Sequence, residues 1–385
     1  MNAVERYVAR NPRSAARAQA ASTVMPGGNT RTVLHFDPFP LAFERGEGAY
    51  LYSLDGDRYV DLLGEFTAGL YGHSNPVILD AIRRALDGGI SFGGHNALEH
   101  RLAELVTERF EPIELVRFTN SGTEANLMAL ALALHNTQRT KVLVFTGAYH
   151  GGVLAFPTGV PSSVTVPHDW VVGAYDDVEG TRALIREHEL AAILVEPMLG
   201  SGGCIPASKA FLEMLRAEAT ATGAVLIFDE VMTSRLPPTG VLPDLMTLGK
   251  YVGGGMSFGA FGGKRSLMEA YDPARPDALA HAGTFNNNVV TMSAGIAGLS
   301  EVLTPGALEA LNARGDRLRA ELNDLGLNVT GRGSLMTIHD DLFFELLDAG
   351  FWLAKRGMIA LSLPITDEDL AGFKTAVTDI LDRRC

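Results

Sequence analysis

The fold class is indicated most clearly by the stretch Arg117-Phe-Thr-Asn-Ser-Gly-Thr-Glu-Ala-Asn-Leu-Met-Ala-Leu-Ala-Leu-Ala-Leu-His135. This stretch begins as a short β-strand, turns through small polar residues and continues as a run of strong helix formers. Ser121 or Gly122 would stand at the start of that helix, where free N–H groups and the helix dipole favour an anion. A phosphate would fit there, but Ser and Thr also cap helices without any ligand. These residues alone leave both interpretations open.

The same alternation of strand and helix continues along the chain and indicates an α/β fold, with a mostly parallel sheet covered by helices. The predicted strands are Leu115 to Thr119, Lys141 to Phe145, Ala191 to Glu196, Val225 to Asp229 and Leu245 to Leu248. Residues 46–290 are predicted to form this large domain. A smaller α+β domain would combine residues 1–45 with residues 291–385, including a strand at Gly357 to Leu363.

Composition excludes several classes of function. The 385 residues carry 32 basic and 45 acidic side chains, a net charge of −13, and contain no basic block. Nucleic acids and anionic membranes are therefore not expected as partners. No apolar stretch approaches the roughly 20 residues of a membrane-spanning helix, and the start lacks a secretory apolar region. The two cysteines favour a reducing, cytoplasmic setting. No metal site is expected, because no His-Glu-x-x-His run occurs.

Candidate site residues follow the predicted strands, since ligands of open α/β sheets bind beyond the carboxyl ends of the strands. Asp229 ends an apolar run, where a carboxylate is costly unless a cation such as a protonated pyridine nitrogen pairs with it. Lys250 opens a glycine-rich run that reaches Gly263, a setting suited to a lysine that forms a Schiff base. Tyr149, beside three glycines, would either stack on a planar cofactor or pack in the core.

Five motifs in order resemble the class III aminotransferases, which are fold-type I enzymes that use pyridoxal 5′-phosphate (PLP). The motifs are Asn120-Ser-Gly-Thr-Glu-Ala, Tyr149-His-Gly, Phe228-Asp-Glu-Val, Leu248-Gly-Lys with its glycine run, and Ala282-Gly-Thr-Phe-Asn-Asn-Asn-Val. The family also holds glutamate-1-semialdehyde 2,1-aminomutase. Within it, the chain is most similar to the aromatic β-amino acid aminotransferases. The resemblance implies a homodimer with shared active sites.

The resemblance also implies the roles of individual residues. Lys250 would carry PLP as a Schiff base and shuttle a proton, while Asp229 would keep the pyridine nitrogen protonated. The other implied cofactor contacts are Ser121, Gly122 and Thr123 at the phosphate, Tyr149 and Val231 on the two ring faces, His150 and Glu196 nearby without an assigned role, and Thr284 reaching the phosphate of the neighbouring subunit. The resemblance implies that Arg31 and Arg356 bind the substrate carboxylate, to which the guanidinium fork is suited.

The expected reaction moves the amino group of an aromatic β-amino acid, such as β-phenylalanine, to a 2-oxo acid such as 2-oxoglutarate or pyruvate. An aminomutase that returns the amino group to its own substrate is the alternative. The chain is shorter than expected for this subgroup between Arg235 and Asp244 and between His339 and Leu342, which affects the predicted substrate range. A remote alternative is a serine esterase, because Gly255-Met-Ser-Phe-Gly259 matches a nucleophile elbow around Ser257.

Overall fold

The computed structural model describes residues 1–384. The α-helices are α1 (Ala3–Arg10), α2 (Pro12–Ser22), α3 (Pro76–Asp87), α4 (Ala97–Arg109), α5 (Gly122–Thr137), α6 (Val178–Glu187), α7 (Lys209–Thr222), α8 (Arg265–Met268), α9 (Val289–Ala297), α10 (Pro305–Asp324), α11 (Phe343–Asp348) and α12 (Asp367–Arg384). The strands are β1 (Phe43–Glu47), β2 (Tyr50–Ser53), β3 (Arg58–Asp61), β4 (Leu115–Thr119), β5 (Lys141–Phe145), β6 (Ala148–Tyr149), β7 (Ala155–Phe156), β8 (Asp169–Gly173), β9 (Leu190–Val195), β10 (Met198–Leu199), β11 (Ile205–Pro206), β12 (Val225–Asp229), β13 (Leu245–Gly249), β14 (Gly259–Gly263), β15 (Val329–Arg332), β16 (Leu335–Ile338), β17 (Phe351–Trp352) and β18 (Met358–Ala360).

The chain divides into two compact units. The terminal unit combines residues 1–75 with the chain from residue 310 onward, and the central unit holds residues 76–309. The predicted boundaries after residues 45 and 290 lie 30 (75 − 45) and 19 (309 − 290) residues before these limits. The first differs because β3 pairs in parallel with β17, which joins β1–β3 to the C-terminal part of the chain. The second differs because α9 packs on α3 and α4.

The central unit contains a seven-stranded sheet with the order β4-β14-β13-β12-β9-β5-β8. Only β14 runs antiparallel to its neighbours, so the predicted mostly parallel sheet is confirmed. β4, β5 and β12 have the predicted bounds, and β9 and β13 differ from them by one residue. Side chains of β9 alternate between two buried clusters, one with α5 and one with α7, because parallel strands are covered on both faces.

The terminal unit contains two smaller sheets. One has the order β1-β2-β3-β17, and the other has the order β15-β16-β18. The strand predicted at Gly357 to Leu363 is present but shorter, as β18. Helices from both ends of the chain meet here, since α1 packs against α11. Along residues 1–384, no helix combines the length and the apolar character that crossing a membrane requires.

Candidate active site

Lys250 and Asp229 lie at the carboxyl ends of two neighbouring parallel strands. Asp229 is the last residue of β12 and pairs with Thr247 of β13, and Lys250 follows the end of β13. The backbone of Lys250 has a φ of +55°, in the left-handed region that non-glycine residues rarely occupy. Such strain persists only where the surroundings enforce it, and it is frequent at functional sites.

Asp229 is a buried carboxylate held by three hydrogen-bond donors. Its side chain is only 5% exposed. The Nδ2 group of Asn126 and the Nδ1–H of His150 each donate to Oδ2 at 2.8 Å, and the Val231 N–H donates to Oδ1 at 3.0 Å. A buried anion gains most from a cation beside it, so this carboxylate suits a protonated pyridine nitrogen.

Asn126 is a further residue of the site that was not predicted from the sequence, because it lies inside α5 and not at a strand end or in the helix-start turn. Its side chain is buried and links three parts of the site. Besides Asp229, Nδ2 donates to the His150 carbonyl at 2.9 Å, and Oδ1 accepts from the Thr247 hydroxyl at 2.8 Å. The only signal in the sequence is an amide within an otherwise apolar helical run.

The turn before α5 has the geometry of a helix start that can receive an anion. Ser121 is the N-cap, and its hydroxyl accepts from the Glu124 N–H at 3.1 Å. The first N–H groups of the helix, those of Gly122 and Thr123, have no acceptor within the helix. A Cβ on Gly122 would come within 2.8 Å of the Val231 side chain. Glycine at position 122 therefore lets the turn approach the Val231 side chain closely.

Tyr149, His150 and Glu196 form the neighbouring part of the site. Tyr149 is 48% exposed, which excludes the interpretation as a packed core tyrosine. Its N–H donates to Oε1 of Glu196, and the Gly200 N–H donates to Oε2, both at 2.9 Å. Burial raises the pKa of the Glu196 carboxyl to about 7. His150 is buried as well, and within residues 1–384 its Nε2 atom has no hydrogen-bond partner.

Thr284 lies at a cavity in the central unit. It is exposed, and the cavity has a volume of about 890 Å³. Ile90 and Phe92 line the same cavity and are more than half exposed, as is Phe285, the neighbour of Thr284.

The terminal unit places Arg31 and Arg356 at one aromatic ring. Their guanidinium carbons lie 5.6 and 5.9 Å from the centre of the Phe66 ring. Nη1 of Arg31 also donates to Oε1 of Glu65 at 2.7 Å. Sequence reasoning missed Glu65 and Phe66, because no motif marks them.

The esterase interpretation of Ser257 is wrong. A nucleophile elbow joins a strand to a helix, whereas Ser257 lies between the 3₁₀ turn Lys250–Gly253 and the strand β14. No helix follows it before that strand, so its hydroxyl lacks the setting that this chemistry requires.

Comparison with known proteins agrees with this geometry. The aminotransferase class-III family matches residues 34–381. A β-phenylalanine transaminase from Variovorax paradoxus is 51% identical over 98% of this chain and 94% of its own length. The crystal structure of a β-phenylalanine aminotransferase from that organism has a TM-score of 0.97 at 50% identity and covers 99% of this chain and 96% of its own. The sequence alignment has 410 positions, so at least 25 of them (410 − 385) have no residue in this chain.

Two further structures bear on the cofactor and the fold. A transaminase with PLP bound is 34% identical, covers 97% of this chain and 98% of its own, and has a TM-score of 0.89. A glutamate-1-semialdehyde aminomutase from Pseudomonas aeruginosa PAO1 has a TM-score of 0.88 at 23% identity, with 99% and 96% coverage, which shows a common fold only. The buried Asp229 carboxylate, the start of α5 and the exposed Tyr149 ring fit PLP. The chain therefore belongs to the class III aminotransferases and is a PLP-dependent transaminase of fold-type I.

Proposed function

We propose that this protein transfers the amino group of an aromatic β-amino acid, such as β-phenylalanine, to a 2-oxo acid such as 2-oxoglutarate or pyruvate. The observation that carries the proposal is the placement of Arg31 and Arg356 at the ring of Phe66. A guanidinium binds a carboxylate through two parallel hydrogen bonds, and an aromatic face favours a phenyl ring. A substrate with both groups matches this surface. The substrate named for the Variovorax relative belongs to the same class.

We assign PLP to the carboxyl ends of β12 and β13 and the start of α5. Asp229 would hold the ring nitrogen, Lys250 would anchor the cofactor, and the N–H groups after Ser121 would bind the phosphate. The remaining contacts in this assignment are Gly122 and Thr123 at the phosphate and Tyr149 and Val231 on the two ring faces. His150 contacts Asp229, and Glu196 contacts the Tyr149 backbone.

The protein's own residues position the substrate and move one proton. When bound, PLP supplies a protonated ring that withdraws electrons from the amino-bearing carbon of the substrate. Nζ of Lys250 takes the proton from that carbon. Asp229, oriented by His150 and Asn126, would pair with the ring nitrogen and favour its protonated form. Arg31 holds the substrate carboxylate.

We infer that the active form is a homodimer in which the partner's Thr284 reaches the cofactor phosphate. The cavity of about 890 Å³ beside Thr284 and the exposed Phe92 and Phe285 support a second copy of the chain that covers this surface, because large exposed apolar side chains mark interfaces.

Analytical ultracentrifugation should give twice the chain mass. Replacing Phe285 by Asp should shift the protein toward the monomer, and a monomeric wild type that is fully active would contradict the shared site.

Transfer of a nitrogen label tests the proposed reaction directly. With ¹⁵N-labelled β-phenylalanine and 2-oxoglutarate or pyruvate, we expect the label in glutamate or alanine, and turnover that requires the oxo acid. Mass spectrometry of the products makes the measurement. A label that stays in an isomer of the donor, with no oxo acid consumed, would instead establish the aminomutase.

A further inference from the structure

Four successive residues of the terminal unit adopt left-handed backbone conformations. The φ angles of Gly64, Glu65, Phe66 and Thr67 are +53°, +47°, +51° and +81°. We call residues 64–67 the left-handed turn. Only glycine adopts this region readily, and non-glycine residues in it are retained where the surroundings hold them, often at functional sites.

Buried polar contacts hold the left-handed turn in place. Asp61 is 3% exposed, and its Oδ1 atom accepts the N–H groups of Leu63 at 2.9 Å and Gly64 at 3.0 Å. Its Oδ2 atom lies 2.7 Å from Nε2 of His73. The Gly69 N–H donates to the Gly64 carbonyl at 2.8 Å. The backbone shape therefore depends on these contacts, and the Glu65 side chain takes no part in them.

The left-handed turn presents one carboxylate and one aromatic ring to Arg31. The carboxylate is that of Glu65, and the ring is that of Phe66. The side chains of Arg31 and Glu65 are 45% and 56% exposed. An ion pair this exposed changes an equilibrium constant by a factor of about five at most. A second carboxylate can therefore take the place of Glu65 at little cost.

We propose that the Glu65 carboxylate occupies the Arg31 guanidinium beside Phe66 before substrate binds and is displaced by the carboxylate of the substrate. This inference rests on the proposed function, in which Arg31 binds that carboxylate. Glu65 then weakens the binding of the amino acid and of the 2-oxo acid alike. Weaker binding speeds the release of each ligand. This favours the exchange of the amino acid for the 2-oxo acid, because both must enter and leave the same site in every cycle.

Direct binding to the PLP-loaded enzyme tests the displacement. The probe is 3-phenylpropanoate, which has the ring and the carboxylate but no amine, titrated by calorimetry. Glu65→Gln should lower its Kd by about two- to fivefold, since the competing carboxylate is gone. The uncharged 3-phenylpropanamide should bind wild type and variant with the same Kd. A general distortion of the site would instead change the Kd of both ligands.

Two further variants separate the competing charge from other effects. Glu47→Gln removes the same charge from another exposed ion pair, Glu47 with Arg45 at 2.9 Å, and should leave the Kd of the probe unchanged. Glu65→Gly removes the carboxylate while keeping a residue that suits a φ of +47°. It should tighten binding as Glu65→Gln does. A Kd that is unchanged or higher in either Glu65 variant overturns the proposal.

Arg31→Ala distinguishes failure of this inference from failure of the proposed function. Loss of a charge-assisted pair should raise the Kd of 3-phenylpropanoate by about 10- to 150-fold. An unchanged Kd in Arg31→Ala would remove Arg31 as the carboxylate anchor. If Arg31→Ala weakens binding but Glu65→Gln does not tighten it, the anchor stands and the displacement by substrate is wrong.

Discussion

Replacing Lys250 by alanine is expected to lower turnover by a factor on the order of 10⁴ or more, because the substrate proton loses its acceptor. The covalent attachment of the cofactor should be lost as well. After reduction with borohydride, peptide mass spectrometry should find the cofactor mass on the peptide with residue 250 in wild type only. The strained backbone at φ +55° is the same for alanine, so we expect a similar Tm.

Lys264→Ala is the matched control for this variant. Lys264 also follows a glycine at a strand end, but its side chain is half exposed and pairs with the buried carboxylate of Asp244. The Lys264→Ala variant should keep the turnover of wild type and should carry the cofactor mass on the peptide with Lys250. Activity of Lys250→Ala within tenfold of wild type would remove Lys250 from the chemistry.

Asp229→Asn is expected to lower kcat by a factor on the order of 10²–10³, the scale of losing one charge that stabilises the reacting group. The amide cannot keep the cofactor ring nitrogen protonated as a carboxylate does. The amide NH₂ group would also face the donors of Asn126 and His150, so at least one hydrogen bond is lost. We therefore expect the free energy of unfolding to fall by about 1–3 kcal/mol. Single-turnover kinetics and urea denaturation measure the two effects.

Asp244→Asn separates a loss of stability from a loss of chemistry. Asp244 is a buried carboxylate of the same unit; it accepts from the Leu226 N–H at 2.8 Å and pairs with Arg216 at 2.9 Å. Its replacement should destabilise the protein by a comparable amount with kcat within a few fold of wild type. Equal losses of kcat in the two variants would show that the carboxylate of Asp229 acts only through stability.

The strands of the central sheet were predictable because their signal is local. A short apolar run such as Val225–Asp229 is buried on both faces of a parallel sheet, so its composition and its ends mark the strand. The same pattern identified Asp229 and Lys250, since each is a charged residue at the end of an apolar run. Their catalytic roles stay predictions that the variants above test.

The domain limits were not predictable in the same way. Residues 46–75 belong with the terminal unit because β3 pairs with β17, almost 300 positions further along the chain. No feature near β3 specifies that partner. Asn126 is a comparable case, because its three partners in the site come from separate strands and turns.

The class of sheet, the order of the five motifs and the family could all be predicted from the chain alone, because strand-end motifs depend on a few neighbouring residues. The surroundings of those residues depend on contacts between segments that are far apart in the chain. The buried contacts of Asp61 hold residues 64–67 in a conformation that their types disfavour, and so bring Glu65 and Phe66 to Arg31. Such an arrangement follows from packing between distant segments, which local residue preferences do not encode.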